Sequence, residues 1–236
     1  MSTYVLVHGA WHGGWSWRWV RKILEQNHHR VYTPTMTGLG ERAHLLSANI
    51  TMDTVIEDIA NVLRYEDLSD VILVGHSFAG TVISGVAERV PDRVRQLIYL
   101  DAAILEDGES MFGCMPSEIA AERQRLARET SNGMSLPIPS AASLGILDHE
   151  QWAFLKRFLT PTAAVHLRYA FAASKSTGEG FPCSYIVCTN PAYAPLAWSY
   201  DRAKKYGWPI IPINTGHDAM VSAPEALSKI LMQWHA

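Results

Sequence analysis

The run Val71-Ile72-Leu73-Val74-Gly75-His76-Ser77-Phe78-Ala79-Gly80 constrains this chain more than any other segment. Four consecutive apolar residues read as a short strand covered on both faces, and residues 78–90 read as a helix, so Ser77 stands where strand breaks into helix. Small residues at Gly75 and Ala79 let the backbone turn sharply there without side-chain clashes. A turn of this kind pushes one hydroxyl out at the carboxyl edge of a sheet.

A serine hydroxyl is a poor nucleophile unless a base takes its proton, so the motif demands a histidine later in the chain at another strand end. Residues 209–214 read as a short strand that runs into Thr215-Gly216-His217-Asp218, ahead of an amphipathic segment at 223–234. His217 is therefore the candidate base. An oxyanion site needs the amide after the serine and a second amide from a loop after an early strand. Val5-Leu6-Val7-His8-Gly9-Ala10 fits that strand and loop, which makes the amides of Phe78 and Ala10 the candidates.

Strand and helix signals alternate through the first hundred residues, as in a parallel sheet. Residues 15–26 read as a helix, 30–33 as a strand, 53–65 as an amphipathic helix with Thr51 as its cap, and 97–100 as a strand ending at Asp101. The alternation then stops. Helical segments are predicted at 116–129, 148–158 and 161–174, with a Pro/Ser/Gly-rich stretch at 132–145 and no convincing strand, before strand signals resume at 184–189. The expectation is one α/β domain with a mainly parallel sheet: core residues 1–103 and 181–236, and a helical cap insertion at 104–180. Sites in open α/β sheets lie beyond the carboxyl ends of the strands, so the insertion is expected to roof Ser77.

Several ordered motifs carry a family resemblance. His8-Gly9-Ala10-Trp11-His12-Gly13-Gly14-Trp15, Gly38-Leu39-Gly40-Glu41-Arg42, Gly75-His76-Ser77, Ile186-Val187-Cys188-Thr189 and Gly216-His217-Asp218-Ala219-Met220 resemble the small α/β-hydrolases related to plant methyl-ester esterases of the salicylate-binding type and to hydroxynitrile lyases, their bacterial relatives in particular. The resemblance implies an α/β-hydrolase fold and a Ser-His-acid triad. In the esterases the acid follows the Cys-Thr of the penultimate strand by a couple of residues. Here that place reads Thr189-Asn190-Pro191-Ala192, without a carboxylate. Asp201 lies too far along, in what reads as a helix. Asp101 ends the strand after the nucleophile helix, and parallel strands joined by right-handed crossovers bring their carboxyl ends to one edge, so Asp101 is the candidate acid. The lyases are expected to carry a threonine beside the oxyanion loop and a lysine after the histidine; Gly9 and Asp218 stand there instead. A carboxylate cannot stabilise departing cyanide, which ranks lyase chemistry below ester hydrolysis.

A chain of 236 residues, 48% hydrophobic and 18% charged, is long enough for one sizeable core. A net charge of -3 without a local basic cluster argues against nucleic-acid or anionic-membrane partners. Cys114, Cys183 and Cys188 form neither a metal-type spacing nor an even disulfide set, and only three residues precede the first strand, leaving no room for a leader; a cytoplasmic setting is the expectation. His8, His12, His76 and His217 lack zinc-site spacing, so no metal and no cofactor are expected; His8 and His12 are expected to brace the oxyanion loop. Trp11, Met111, Phe112, Met115, Trp152 and Trp198 are candidate pocket-lining residues, with Met134 and Phe158 beside them, and Arg42, Arg157 or Arg168 could meet a charged substrate. The reading is a serine hydrolase for a small ester, thioester or lactone with an apolar or aromatic moiety. A non-acylating lyase or cyclase and a silent ligand-binding protein are the alternatives, and the oligomeric state, a homodimer included, stays open.

Overall fold

A computed structural model describes residues 1–168 and 170–234. The chain opens with β1 (Thr3–Val7), α1 (Arg18–Gln26), β2 (Arg30–Tyr32), α2 (Met52–Tyr65), β3 (Val71–His76), α3 (Ala79–Arg89) and β4 (Val94–Leu100). An insertion follows, made of α4 (Met111–Cys114), α5 (Ser117–Ser131), β5 (Ser135–Leu136), α6 (His149–Leu155), β6 (Thr162–Ala163) and α7 (Val165–Arg168). The sheet resumes with β7 (Cys183–Cys188), α8 (Ala197–Lys205), β8 (Ile210–Ile213), α9 (Ala219–Ser222) and α10 (Pro224–Leu231).

Among the described residues, six strands form one parallel sheet in the order β2-β1-β3-β4-β7-β8. Its centre is apolar on both faces: Val71, Ile72, Leu73 and Val74 of β3 are fully buried, as are Leu97, Ile98, Tyr99 and Leu100 of β4. Each such aliphatic side chain contributes about 1.5–3 kcal/mol of burial free energy. β8 is an edge strand and carries Pro212, which is exposed there, where the missing amide costs no ladder bond. The helix α2 starts as the sequence predicts: the Thr51 hydroxyl accepts from the Thr54 amide at 3.2 Å and the Thr54 hydroxyl accepts from the Thr51 amide at 3.1 Å.

Two expectations need correcting. The segment 161–174 is not one helix but the strand β6 and the four-residue helix α7, and β6 pairs antiparallel with β5 (Ser135↔Ala163, Leu136↔Thr162). Strands of two residues carry no period to read, so the sequence pattern misses them. Residues 14–17 are a 3-10 turn, and the α-helix starts only at Arg18.

Candidate active site

The chain moves from β1 to β2 on one side and returns to β3 on the other, so β1 and β3 flank a topological switch point, where open α/β sheets place their ligands. Val7 is paired with Gly75 and His76 with Leu100, so the loops beginning at His8, Ser77 and Asp101 leave the same sheet edge side by side. Three residues there hold left-handed backbone without being glycine: Trp11 (φ 66°), Ser77 (φ 56°) and Asp101 (φ 42°). Each such conformation costs of order 1–3 kcal/mol and persists only where surrounding bonds fix it. They do so here. The Ser77 amide donates to Leu100 O at 3.2 Å, the Ala103 amide to Ser77 O at 2.9 Å, and the Asp101 amide to Ile186 O at 2.7 Å. A side chain at Gly75 would come within 2.6 Å of Ala79 O, which is why the turn needs glycine before the serine.

His217 sits on the loop between β8 and α9. Its Nε2 lies 2.9 Å from Ser77 Oγ and its Nδ1 lies 2.6 Å from Asp101 Oδ2. A carboxylate only accepts, so Nδ1 carries the proton and Nε2 is free to accept from the serine hydroxyl. The other oxygen of Asp101 accepts from the Cys188 amide at 3.4 Å. All three residues are buried. Asp201 is elsewhere, on α8, where Lys204 pairs with it at 2.6 Å.

The Ala10 and Phe78 amides donate to no protein acceptor among the described residues. Gly9 lets the loop that carries Ala10 approach: a Cβ there would lie 2.9 Å from both Ser77 Cβ and His76 Nδ1. Both loop histidines brace it. His8 Nδ1 donates to Gly9 O at 2.8 Å while Nε2 accepts from the Met36 amide at 3.1 Å, a neutral arrangement that fits its pKa, driven down to about 3 by burial. His12 Nδ1 faces Ala10 O at 2.8 Å and its Nε2 faces Asp218 Oδ2 at 3.2 Å. Burial opposes a charge on His12, but the Asp218 carboxylate raises its pKa above the ordinary value, and both nitrogens donate. Burial would likewise raise Asp218, yet His12 holds it down to about 2. His76 donates Nε2–H to the His217 carbonyl at 3.0 Å and is kept neutral by burial and then by the nearness of His217.

Asp218, His76 and His217 present ligand atoms within 4.8 Å of one another. Both His217 nitrogens are engaged by Ser77 and Asp101 and Asp218 Oδ2 is paired with His12, while Asp218 Oδ1 and His76 Nδ1 have no hydrogen-bond partner among the described residues.

A cavity of about 760 Å³, within the usual range for small-molecule sites, meets the base through Tyr193, which stacks on His217, and a second cavity of about 570 Å³ is lined by Asp101. Trp11, Leu126, Leu136, Ile138, Arg123 and Tyr193 are among the lining residues of the larger cavity. It also touches Gly145, whose added Cβ would come within 3.7 Å of the His217 amide nitrogen. Of the residues singled out from sequence, Trp11 lines it. Met111 and Phe112 on α4, and Met115 just after it, are buried within the insertion and do not line this cavity, and Trp152 is half-buried on α6. Trp198 belongs to a separate surface hollow with Glu106, Asp201, Arg202, Lys205 and Tyr206. Its indole N–H donates to Pro195 O at 3.0 Å and Arg202 lies over its ring, so it is turned away from this cavity. Phe158 packs on Trp15, and Met134 is exposed. Arg42 pairs with Asp58, Arg157 lies over Phe158 and Arg168 reaches Gly133 O, so the cation on the cavity wall is Arg123. Sequence reading missed both Arg123 and Tyr193. For Tyr193 the available signal was an aromatic residue in the loop after the penultimate strand.

The model for the alpha/beta hydrolase family matches residues 4–230. The chain belongs to the alpha/beta hydrolase family. This hydrolase is 36% identical over 243 residues to the carbendazim hydrolyzing esterase of Nocardioides sp. (strain SG-4G), covering 98% of each protein. It is 31% identical over 256 residues to Methylesterase 1 of Arabidopsis thaliana, covering 98% of this chain and 94% of the relative. A solved extracellular alpha/beta-hydrolase from a Paenibacillus species, reported to share structural and functional homology with Tobacco Salicylic Acid Binding Protein 2, superposes with a TM-score of 0.87 at 26% identity, over 99% of this chain and 98% of that one. The hydrolase is a carboxylic ester hydrolase. No helix among the described residues is long and apolar enough to cross a membrane.

Proposed function

We propose that this hydrolase cleaves small esters, thioesters or lactones with an apolar or aromatic moiety through an acyl-enzyme on Ser77. The observation that carries the reading is the unbroken relay Ser77–His217–Asp101, with contacts of 2.9 and 2.6 Å. Ser77 Oγ attacks the carbonyl carbon as its proton passes to His217 Nε2, and the carbonyl π electrons move to the oxygen. The Ala10 and Phe78 amides receive that oxyanion; one such donor is worth about 3 kcal/mol in serine enzymes. His217 then protonates the leaving oxygen or sulfur, and a water repeats the sequence to free the acid and Ser77. Asp101 fixes the tautomer throughout. The apolar wall of Trp11, Leu126, Leu136 and Ile138 supports an apolar or aromatic group in the substrate, and the names of the esterase and methylesterase relatives support small esters.

Cyanohydrin cleavage fits poorly. The site that needs a cation beside the histidine holds Asp218, kept ionised with a pKa near 2. A threonine at Gly9 would collide with Ser77. The test is labelling by a fluorophosphonate followed by peptide mapping, together with turnover of an activated aryl ester. Ser77 takes the label, and Ser77→Ala lowers turnover by about four orders of magnitude or more while the protein melts as before. A folded wild type without label, or a Ser77→Ala variant keeping a tenth of the activity, overturns the acyl-enzyme.

A further inference from the structure

We propose that Tyr193 is a positioning residue for His217, with Arg123 as its anchor, an inference that rests on the ester hydrolysis proposed above. The Tyr193 and His217 rings stack with centroids 3.7 Å apart and planes 15° from parallel, so one whole face of the base is covered. The far end of the tyrosine is fixed as well. Arg123 donates from Nη2 to Tyr193 Oη at 2.8 Å, and its guanidinium lies 5.5 Å from the Trp11 ring centroid. Arg123 comes from α5 in the insertion, Tyr193 from the loop after β7 and Trp11 from the loop after β1. The three together make a wall that links the cavity to the base.

Two consequences follow from that geometry. The stack holds the imidazole in the plane that reaches Ser77 and Asp101 at once, because tilting either nitrogen out of line would drive the ring into the phenol. When Ser77 gives up its proton, His217 becomes an imidazolium whose positive charge faces the negative π-face of the tyrosine, an attractive arrangement at this separation. Tyr193 acts through its ring and not through a charge, since burial pushes its phenol pKa up and the hydroxyl stays protonated. The other groups facing His217 are Ser77 and Asp101 at the ends of β3 and β4, the His76 ring 4.6 Å away, Asp218 next in the chain and Cys188 Sγ, 3.8 Å from its carbonyl. Asp218 is paired with His12, so Asp101 is the carboxylate that meets the His217 ring directly.

The experiment measures the pH dependence of kcat/KM for an activated aryl ester and of the fluorophosphonate labelling rate, in the wild type, Tyr193→Phe and Tyr193→Leu. A ring that stabilises the protonated base makes that base easier to protonate, so removing it shifts the acid limb to lower pH. In Tyr193→Leu the limb moves down by about half a unit to one unit, while the plateau rate falls about five- to tenfold. Tyr193→Phe, which keeps the ring and loses the Arg123 bond, holds the wild-type limb but loses about twofold of the plateau rate, and an unchanged plateau overturns the anchoring by Arg123. Tyr193→Met gives the same reading as leucine should leucine unfold the protein. An unmoved limb in both the leucine and methionine variants overturns the role of Tyr193, whatever their plateau rates. A wild type that takes no label at Ser77 overturns the hydrolysis reading itself, and the inference with it.

Discussion

Loops at the carboxyl edge of the sheet and the insertion line the same cavity, yet the two regions are held by different forces. At the sheet edge, backbone ladders place every group: Val7 beside Gly75, His76 beside Leu100 and Leu100 beside Ile186 set Ala10, Ser77 and Asp101 in a row. Left-handed backbone survives there because the flanking amides and carbonyls are bonded. The insertion has little ladder of its own. Its helices α4 and α7 have four residues each, its strands two, and it is held by side-chain packing. Buried polar atoms without partners among the described residues occur in both regions, Thr162 Oγ1 and both ring nitrogens of His166 in the insertion and Trp11 Nε1, His76 Nδ1 and Asp218 Oδ1 at the edge. Chemistry is therefore assigned to the part whose geometry is over-determined, and substrate fit to the part that can be repacked.

The widest separation between the two regions comes from Asp101→Asn. The amide favours the wrong tautomer of His217, so turnover of an aryl ester drops by up to about four orders of magnitude. The melting temperature stays within a few degrees, because asparagine can keep the contact to the Cys188 amide. Asp201→Asn, on the exposed pair with Lys204, is the control and stays within about twofold of wild type. Comparable losses in the two variants would remove the acid from β4.

Gly9→Ala tests the same edge more gently. Its methyl would sit 2.9 Å from Ser77 Cβ, so the loop carrying Ala10 must retreat. Displacing one oxyanion donor lowers kcat by about 10²–10³ with KM nearly constant. A rise in KM alone would mean that this loop binds substrate without serving the oxyanion.

The insertion should answer in stability, and His166→Phe reads it. His166 stacks on Phe78 with centroids 5.1 Å apart, and burial lowers its pKa to about 4. Below the ordinary value near 6.5 the unfolded chain takes a proton that the folded protein refuses, so stability falls from that pH down to about 4. The slope is about 1.4 kcal/mol per pH unit for this one group. Phenylalanine removes it. Thermal melts from pH 7 to 4.5 show a shallower decline and a gain of several degrees near pH 5, while kcat/KM at pH 7.5 stays within about threefold. Unburdened melts with lost turnover would instead attach His166 to the catalytic edge. His8, lowered to about 3, keeps its own acid sensitivity of the same sign in both proteins.

What the sequence disclosed follows the same division. Ser77 was legible because a strand, a turn and a helix are local patterns, and Asp101 because parallel strands with right-handed crossovers share one carboxyl edge. The pairing of His12 with Asp218 spans 206 positions, and no local signal joins them. Arg123 and Tyr193 converge from an inserted helix and a loop 70 positions apart, which only packing can bring about. Trp198 illustrates the converse: its type suits a pocket, but α8 carries it into another hollow. The β5–β6 pair escaped notice because two residues per strand show no alternation.

Asp101 has one further consequence, for how such a protein can change over generations. The acid leaves the strand next to the one that carries the nucleophile, so two neighbouring segments of backbone keep both in register. The loop after β7 carries no triad carboxylate, and its Ala192, Tyr193 and Ala194 face the two cavities on either side of it. Substitutions at Ala192 and Ala194 can therefore reshape the substrate's surroundings while the proton relay is inherited intact. Selection for a new ester finds its variation there, on either side of the one tyrosine that the base requires.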